Sequence, residues 1–326
     1  MNTSTLDTGT VHDLTTRPLI LEDFIGQDHI KAQLKAATRS ALLRKTVLEH
    51  VLILGPKGLG KTTLAKIIAT ECMIRMDSML GGELSSEEIR SILASVSGEF
   101  PSILFIDEVH RLPKRTQELL YKAMEDYVLE YRLNLSEFVM PITTPIGPFT
   151  LIGATTDEAS LTPSFVERFG LVLRLELYSD SELMLIIENY AKEIGLSLAT
   201  GVSARLASKS RGTPRIARNL LRRVRDFSTS TRIVDEAVTK AEDALGIDCA
   251  GLNRTDRQYL LIVKDRGGVC SQTTIASVLQ ERPATLTSSI EPFLLRSGFI
   301  VVNPRGRTLT SKGFTHIREH IQNGGS

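Results

Sequence analysis

The chain has 326 residues, of which 42% are hydrophobic and 24% are charged, and its formal net charge is +1. This composition excludes disordered and fibrous proteins, and the length exceeds what one hydrophobic core usually serves, so we predict two or three domains. No apolar run approaches the roughly 20 residues that a membrane helix needs, and residues 1–16 lack the apolar stretch of a signal peptide, so we predict a cytoplasmic protein with no membrane partner and a flexible tail over residues 1–16.

The first predicted elements alternate between strands and helices. An apolar run at residues 50–54 is followed by a glycine-rich stretch and a helical pattern to about residue 72. Further apolar runs span residues 103–105 and 149–154, and each ends in polar residues. This alternation predicts an α/β fold with a parallel sheet, and such sheets bind ligands at the edge where the carboxyl ends of the strands meet.

Residues 55–62 read Gly-Pro-Lys-Gly-Leu-Gly-Lys-Thr and form a complete Walker A motif between the first strand and its helix. The glycines allow backbone N–H groups to curl around phosphate oxygens, and the helix that follows presents its positive end. Lys61 reaches the β- and γ-phosphates, and the Thr62 hydroxyl ligates Mg²⁺. The motif therefore predicts ATP and Mg²⁺ as cofactors; the alternative is a glycine-rich turn with an exposed lysine.

Two acids follow the second strand, in the order Asp107 and Glu108. With the Walker A motif present, this pair predicts a Walker B site, in which Asp107 organises the magnesium shell and Glu108 polarises the attacking water. The alternative, a solvated Asp-Glu turn, is the usual reading of such a pair on its own. We interpret the nearby His110 as structural.

Three more residues are candidates for the catalytic machinery. Thr155 ends the third strand and suits a sensor of the γ-phosphate or the water, although the adjacent Thr156 remains an alternative. Arg168 stands where ring-forming ATPases carry an arginine that reaches a neighbouring subunit's nucleotide; its alternative is a surface ion pair. Arg215 opens a later helix and is predicted to bring a charge over the phosphates. The alternative is an arginine that caps this helix or lies on its surface.

The C-terminal half predicts two smaller domains. Residues 179–246 have apolar residues at helical spacing, which indicates a small all-helical domain. Short helical stretches then precede a predicted hairpin at residues 299–310, which indicates a winged helix. Its turn carries Arg305 and Arg307 on either side of a glycine, where two guanidinium groups can straddle a DNA backbone, and Arg296 and Lys312 extend this surface. The alternative is a solvated turn on a protein-interaction module.

The local charge of the C-terminal region and the cysteines of the whole chain add two further expectations. Residues 250–326 contain ten Lys and Arg against five Asp and Glu, so an acidic partner is expected there. The cysteines, Cys72, Cys249 and Cys270, have no paired metal-ligand spacing. We therefore expect reduced, buried thiols.

The order of these motifs and the residues within them resemble those of the RuvB family of AAA+ proteins, the bacterial Holliday-junction branch-migration motors. The resemblance covers about residues 17–320. The matching stretches are Arg17-Pro18, Ile25-Gly26-Gln27, residues 55–65, Phe105-Ile106-Asp107-Glu108, Met124-Glu125-Asp126-Tyr127, residues 148–156, Arg168-Phe169-Gly170, residues 211–217 and residues 304–307. The resemblance implies a homohexameric ring that pulls duplex DNA, with domains at residues 17–178, 179–248 and 249–326. It also implies the nucleotide-binding residues Arg17, Pro18, Ile25, Gly58, Leu59, Gly60, Lys61, Thr62, Thr63, Tyr178, Pro214 and Arg215.

The chain departs from the family pattern in three places. In the family, a hairpin with a Gly- and Arg-bearing tip docks onto the junction-recognition partner RuvA, whereas residues 133–145 have a similar length without that tip. Lys57 replaces a proline of the P-loop, and residues 73–97 share little with the family. Use of a RuvA-like partner is therefore left open.

Three functions remain as hypotheses. The first is a DNA-translocating motor of the RuvB type, acting on duplex DNA or four-way junctions. The second is a clamp-loader-like or transcription-regulating ATP switch that the winged helix anchors to DNA. The third is an interaction protein that retains the nucleotide pocket, which intact Lys61, Asp107 and Glu108 disfavour.

Overall fold

The computed structural model describes residues 20–96, 101–135 and 138–321. The predicted tail and the candidate residues Arg17 and Pro18 lie outside the described residues. Contacts divide the chain into two units: the first runs to Glu182 and includes Thr213–Arg215, and the second contains Leu183–Gly212 and Ile216–Ser326.

The first unit is built on a parallel sheet, as the sequence predicts. Its described strands follow the order β2-β3-β6-β1-β7. They are β1 (Val51–Leu54), β2 (Met76–Leu80), β3 (Ser102–Asp107), β6 (Phe149–Thr155) and β7 (Leu171–Arg174). The strands β1, β3 and β6 match the three apolar runs, whereas β7 and the more polar β2 were not predicted.

The interior of the sheet explains why its strands read as continuous apolar runs. Every residue of β1 and of β6 is buried, as expected for parallel strands covered on both faces. Phe105 and Phe149 on the strands and Phe165 on a covering helix are fully buried. Each such side chain contributes about 1.5–3 kcal/mol from burial.

Helices and a hairpin surround this sheet. The helices are α1 (Asp28–Arg44), α2 (Lys61–Glu71), α3 (Ser86–Ser95), α4 (Lys114–Asp126) and α5 (Pro163–Val166). The helix α3 begins with a capping box, because the Ser85 hydroxyl accepts from the Glu88 N–H at 3.2 Å and the Glu88 carboxylate accepts from the Ser85 N–H at 2.7 Å. An antiparallel hairpin joins β4 (Val128–Leu135) to β5 (Phe138–Pro145).

The region after residue 179 is helical, as predicted, with one difference. Its helices are α6 (Asp180–Glu193), α7 (Val202–Ser208), α8 (Pro214–Asp226) and α9 (Asp235–Leu245). The difference from an all-helical domain is a short parallel ladder between β8 (Ser197–Leu198) and β9 (Arg232–Ile233). Two-residue strands carry too little periodicity to be read from sequence.

The C-terminal part of the second unit is a winged helix, as predicted. Its helices are α10 (Arg254–Asp265), α11 (Gln272–Leu279), α12 (Pro283–Thr285), α13 (Glu291–Arg296) and α14 (Ser311–His316), with π-helical turns at Leu286–Ile290 and Ile317–Ile321. The predicted hairpin is β11 (Ile300–Asn303) and β12 (Gly306–Leu309), and β10 (Val269–Cys270) adds a third strand.

Among the helices of the described ranges, none combines the length and the apolar character needed to cross a bilayer.

Candidate functional site

The phosphate-binding loop connects β1 to α2. Gly58 and Gly60 have φ values of 84° and 104°, which favour glycine because a Cβ strains this conformation. The loop curls over Lys61, whose Nζ donates to the carbonyl oxygens of Gly55 at 2.7 Å and Pro56 at 3.0 Å. Leu59 is fully buried, and Thr63 follows in the first turn of α2. The sequence thus forms the strand, loop and helix arrangement that a P-loop requires.

The Lys61 ammonium lies among charges of both signs. Its side chain is buried, and this burial lowers its pKa, while Glu108 and Asp107 act in the opposite direction and Arg215 adds to the lowering. Two carboxylates at the sheet edge therefore stabilise the charged form of the lysine, which is the form that binds phosphate.

The two predicted metal ligands meet at the carboxyl end of β3. The Thr62 hydroxyl donates to Asp107 Oδ2 at 3.3 Å, and Asp107 Oδ1 accepts from the Glu108 N–H at 2.9 Å. A hydroxyl and a carboxylate are oxygen donors of the kind that Mg²⁺ prefers. The donor set fits the ion that the motif implies.

The candidate base, Glu108, has an unusual backbone. Its φ of 52° places a non-glycine residue in the left-handed region, a conformation found more often at functional sites. Its carbonyl oxygen lies 2.6 Å from where a Cβ at Gly81 would stand, so the turn after β2 passes directly against it. The position of Glu108 is therefore constrained by its own left-handed backbone conformation and by the close approach of Gly81.

A side chain that sequence reasoning did not place in the site connects the base to the sensor. His110 Nε2 is 3.4 Å from Glu108 Oε2, and its Nδ1 is 2.9 Å from Thr155 Oγ1. The signal was present in the sequence, because His110 comes two residues after the base in the loop that follows β3. It was missed because a lone histidine carries no motif.

The structure distinguishes the two adjacent threonines by exposure. Thr155 ends β6 and is fully buried, and its hydroxyl accepts from the Asp157 N–H at 2.9 Å in addition to its contact with His110. Thr156 is exposed. These contacts favour Thr155 as the sensor, and this assignment stays a prediction.

Of the residues implied in adenine binding, Ile25 and Tyr178 lie in the described part of the chain. The Tyr178 hydroxyl donates to the Leu59 carbonyl oxygen at 3.2 Å, and burial raises its pKa above the usual range. A Cβ at Gly26, next to the half-buried Ile25, would lie 3.2 Å from the Tyr178 ring. Gln27 donates to the Glu176 carbonyl oxygen at 2.8 Å and accepts from its N–H at 3.0 Å.

The candidate finger, Arg168, follows α5 and lies against α4. Its Nη2 is 3.0 Å from Glu125 Oε2 and 3.3 Å from the Tyr121 hydroxyl, and its guanidinium carbon is 4.7 Å from the Tyr121 ring centroid. The hydrogen bond to Tyr121 raises the pKa of Arg168. The side chain is one-third exposed. Within this chain the arginine forms the surface ion pair weighed above, while part of it faces solvent.

The second predicted arginine adjoins the phosphate loop. Arg215 belongs by its contacts to the first unit, where its N–H donates to the Gly58 carbonyl oxygen at 3.3 Å. A Cβ at Gly58 would lie 2.9 Å from the Arg215 Cβ. The Arg215 side chain is exposed, whereas Pro214, which begins α8, is half-buried. Arg215 therefore lies beside the loop, and the role of both residues in nucleotide binding stays a prediction.

The predicted DNA surface on the wing is corrected in one respect. Arg305 is exposed at the turn, and its N–H donates to Asn303 Oδ1 at 3.0 Å. Arg307 instead forms two hydrogen bonds to the buried Glu291, at 2.9 and 3.1 Å. The Arg307 guanidinium is therefore held against Glu291, whereas Arg305 is exposed at the turn, so the two guanidinium groups are not both available to straddle a DNA backbone.

The two other basic residues of this surface are engaged with backbone. Arg296 Nη2 donates to the Arg211 carbonyl oxygen at 2.7 Å, and Lys312 Nζ donates to the Ser297 carbonyl oxygen at 2.8 Å. Both side chains are exposed. Of the predicted contacts, Arg305 has the geometry best suited to a phosphate.

We expect Arg307→Ala to lower the free energy of unfolding by about 3–5 kcal/mol, because it leaves the buried Glu291 carboxylate without its cation. The Glu291 side chain is 3% exposed. Arg305→Ala is the matched control and should change it by no more than about 0.5 kcal/mol. Chemical denaturation followed by circular dichroism measures both, and equal stabilities of the two variants would contradict the structural role of Arg307.

Family models match the whole architecture. The "Holliday junction DNA helicase RuvB P-loop domain" matches residues 16–175, the "RuvB AAA lid domain" matches residues 178–248, and the "RuvB C-terminal winged helix domain" matches residues 249–318. A curated relative, the "Holliday junction branch migration complex subunit RuvB" of Ehrlichia chaffeensis, is 41% identical over 312 residues, or 94% of each chain.

Solved structures agree with these matches. The Thermotoga maritima "RuvB Holliday junction branch migration motor" is 39% identical with a TM-score of 0.80, over 93% of this chain and 98% of the other. A variant of that protein gives a TM-score of 0.81 at 39% identity with the same coverage. Identity, domain order and fold together show that the chain belongs to the RuvB family of AAA+ ATPases.

Proposed function

We propose that this protein is a Holliday-junction branch-migration motor, which hydrolyses Mg²⁺-ATP to translocate duplex DNA as a homohexameric ring. One observation carries the proposal: Lys61, Thr62, Asp107 and Glu108 converge at one sheet edge in a chain that matches RuvB in all three domains. The proposed domain boundaries are residues 17–178, 179–248 and 249–326.

Each residue at the sheet edge has a separate proposed role in phosphoryl transfer. Lys61 and the loop N–H groups would bind the phosphates, and Thr62 and Asp107 would hold the metal ion, which would neutralise charge on the phosphate oxygens. Glu108 accepts a proton from the attacking water. Thr155 orients the γ-phosphate or that water. Arg168 of a neighbouring subunit stabilises the charge on the transferring group, and Arg215 contributes a cation beside the loop.

His110 acts in this scheme as a positioning residue. Its two ring nitrogens contact Glu108 and Thr155, at 3.4 and 2.9 Å, so one ring fixes the spacing of the base and the sensor. The imidazole is 17% exposed, which limits the competition from water. Movement of the sensor is thereby transmitted to the carboxylate that activates the nucleophile.

We expect His110→Ala to reduce kcat for ATP hydrolysis about 10- to 100-fold, since a misplacement of about 1 Å costs that much, with little change in ATP affinity. His110→Gln should recover part of the loss, because an amide can contact both partners. Steady-state kinetics with a separate nucleotide-binding titration measures the two effects. An increase in KM at constant kcat would contradict a positioning role.

The proposed DNA contacts lie on the winged helix, and the proposed partner contact lies on the β4–β5 hairpin. Arg305 would bind phosphate, with Arg296 as a second contact, which gives affinity without base recognition. The E. chaffeensis relative is named as a subunit of a complex. The exposed Met140 lies on this hairpin, which is where we place docking of a RuvA-like protein.

ATP hydrolysis measured with linear duplex, with a four-way junction and without DNA tests the proposal, each with and without a RuvA-type protein. Stimulation by DNA that increases with the partner is the expected result. DNA-independent turnover in an assembled ring would overturn it. Site-specific DNA binding with slow single-turnover hydrolysis would instead favour the ATP switch.

A further inference from the structure

Three metal-ligating side chains meet on the winged helix, far from the nucleotide site in sequence. They are Cys249, which precedes α10, His316, which ends α14, and His320 in the π-helical turn that follows. One ligand atom of each lies within 4.8 Å of those of the other two. Cys249 and His320 are exposed and His316 is buried. The expectation of buried thiols is therefore wrong for Cys249, whereas Cys72 and Cys270 are buried. The cysteines alone predicted no metal site, because the histidines lie far along the chain from Cys249.

The buried histidine is oriented by a carboxylate. His316 Nε2 is 2.8 Å from Asp248 Oδ2, and Asp248 Oδ1 accepts from the N–H groups of Ala250 and Leu252, both at 2.9 Å. Because Nε2 is engaged with Asp248, Nδ1 is the nitrogen left to bind a ligand. A histidine that gives its other nitrogen to a carboxylate is the usual second shell of a protein-bound zinc ion.

The spacing of the histidines supports the same conclusion. His316 and His320 are four residues apart, so they share one face of the helical segment, and their ring centroids are 5.0 Å apart. Two ligand atoms on one zinc ion are separated by roughly 3.3–3.8 Å, given Zn–N and Zn–S distances of about 2.0 and 2.3 Å. The observed limit of 4.8 Å requires side-chain rotations that close about 1 Å.

We propose that Cys249, His316 and His320 bind one zinc ion, with solvent as the fourth ligand. A thiolate with two imidazoles selects zinc over the oxygen-liganded magnesium of the nucleotide site. Binding deprotonates the Cys249 thiol and releases its proton to solvent. The ion ties the C-terminal helix to the segment that leads from α9 into α10, and it thereby stabilises the folded winged helix.

Cobalt titration of the full-length protein, purified without a polyhistidine tag and without nucleotide, tests this proposal. We expect a thiolate-to-cobalt charge-transfer band that saturates at about one equivalent and disappears when zinc is added. The residues described at the nucleotide site include no thiol, so metal bound there gives no such band. Cobalt uptake without the band would overturn the proposal.

Variants assign the ligands. Cys249→Ser should abolish the band, His320→Gln should weaken zinc binding at least about tenfold, and Asp248→Asn should weaken it about 10- to 100-fold. The controls are Cys72→Ala and the exposed His29→Gln. Burial raises the pKa of the Cys72 thiol to about 11, so this thiol is a poor ligand. Zinc affinity that is unchanged in Cys249→Ser would overturn the proposal.

Discussion

Glu108→Gln is expected to lower the rate of ATP hydrolysis by about 10²–10⁴-fold, the usual contribution of a general base, while ATP binding stays nearly unchanged. The amide retains the shape of the side chain and its approach to His110 but cannot accept the proton of the attacking water. The change leaves intact Lys61 and Thr62, the residues that we propose bind the phosphates and the metal ion. Steady-state hydrolysis and a fluorescent-nucleotide titration measure the two quantities.

The matched control for this variant is Glu158→Gln. Glu158 is a carboxylate in the loop after β6, where it pairs with Arg174 at 2.7 Å, and its loss should leave turnover close to the wild-type rate. If Glu108→Gln hydrolysed ATP at a near-normal rate, Glu108 would have no part in the chemistry. Asp107, the adjacent carboxylate, would then be the remaining candidate.

Arg168→Ala is expected to reduce hydrolysis by the assembled ring about 10³–10⁵-fold, which is the effect of an arginine finger on phosphoryl transfer. The side chain contacts Tyr121 and Glu125 on α4 of its own chain and is one-third exposed, so a neighbouring subunit can be reached from this position. Arg174→Ala removes an exposed arginine from the adjacent β7 and serves as control. Thermal unfolding should be similar for both variants.

Mixing the two inactive variants provides a sharper test of action between subunits. In a mixed ring, an Arg168→Ala subunit retains Glu108, and a Glu108→Gln neighbour supplies Arg168, so some sites are complete. We expect hydrolysis to rise well above that of either variant alone. Variants that assemble together without recovering activity would contradict a finger that acts on the neighbouring subunit.

The parts of the site that the sequence predicted are those in which a short motif lies next to a strand end, so that its position in the sheet determines where its side chains lie. Lys61 and Thr62 open a helix directly after a buried strand, and Asp107 ends the neighbouring strand, so the parallel sheet alone brings them together. The winged-helix hairpin was predicted for a similar reason, because its turn residues lie between two apolar runs. At these positions the local sequence pattern alone predicts the structure that the folded chain adopts.

The parts that were missed depend on contacts between distant residues. The sequence pattern around Arg307 does not show that Arg307 pairs with Glu291 on a helix. The link from His110 to Thr155 and the approach of Cys249 to His316 likewise require the folded chain. Sequence periodicity reports burial and turns, whereas the partner of a given polar side chain is decided by tertiary packing.

The turn after β2 has a consequence for how this chain can change. Residues 73–97 were interpreted above as sharing little with the family, yet Gly81 within that segment lies against the Glu108 backbone, with no room for a Cβ. A side chain at this position would displace the carbonyl of the proposed base. We therefore expect substitutions at Gly81 to reduce ATP hydrolysis, whereas substitutions at exposed positions of the same segment, such as Glu87, should be tolerated.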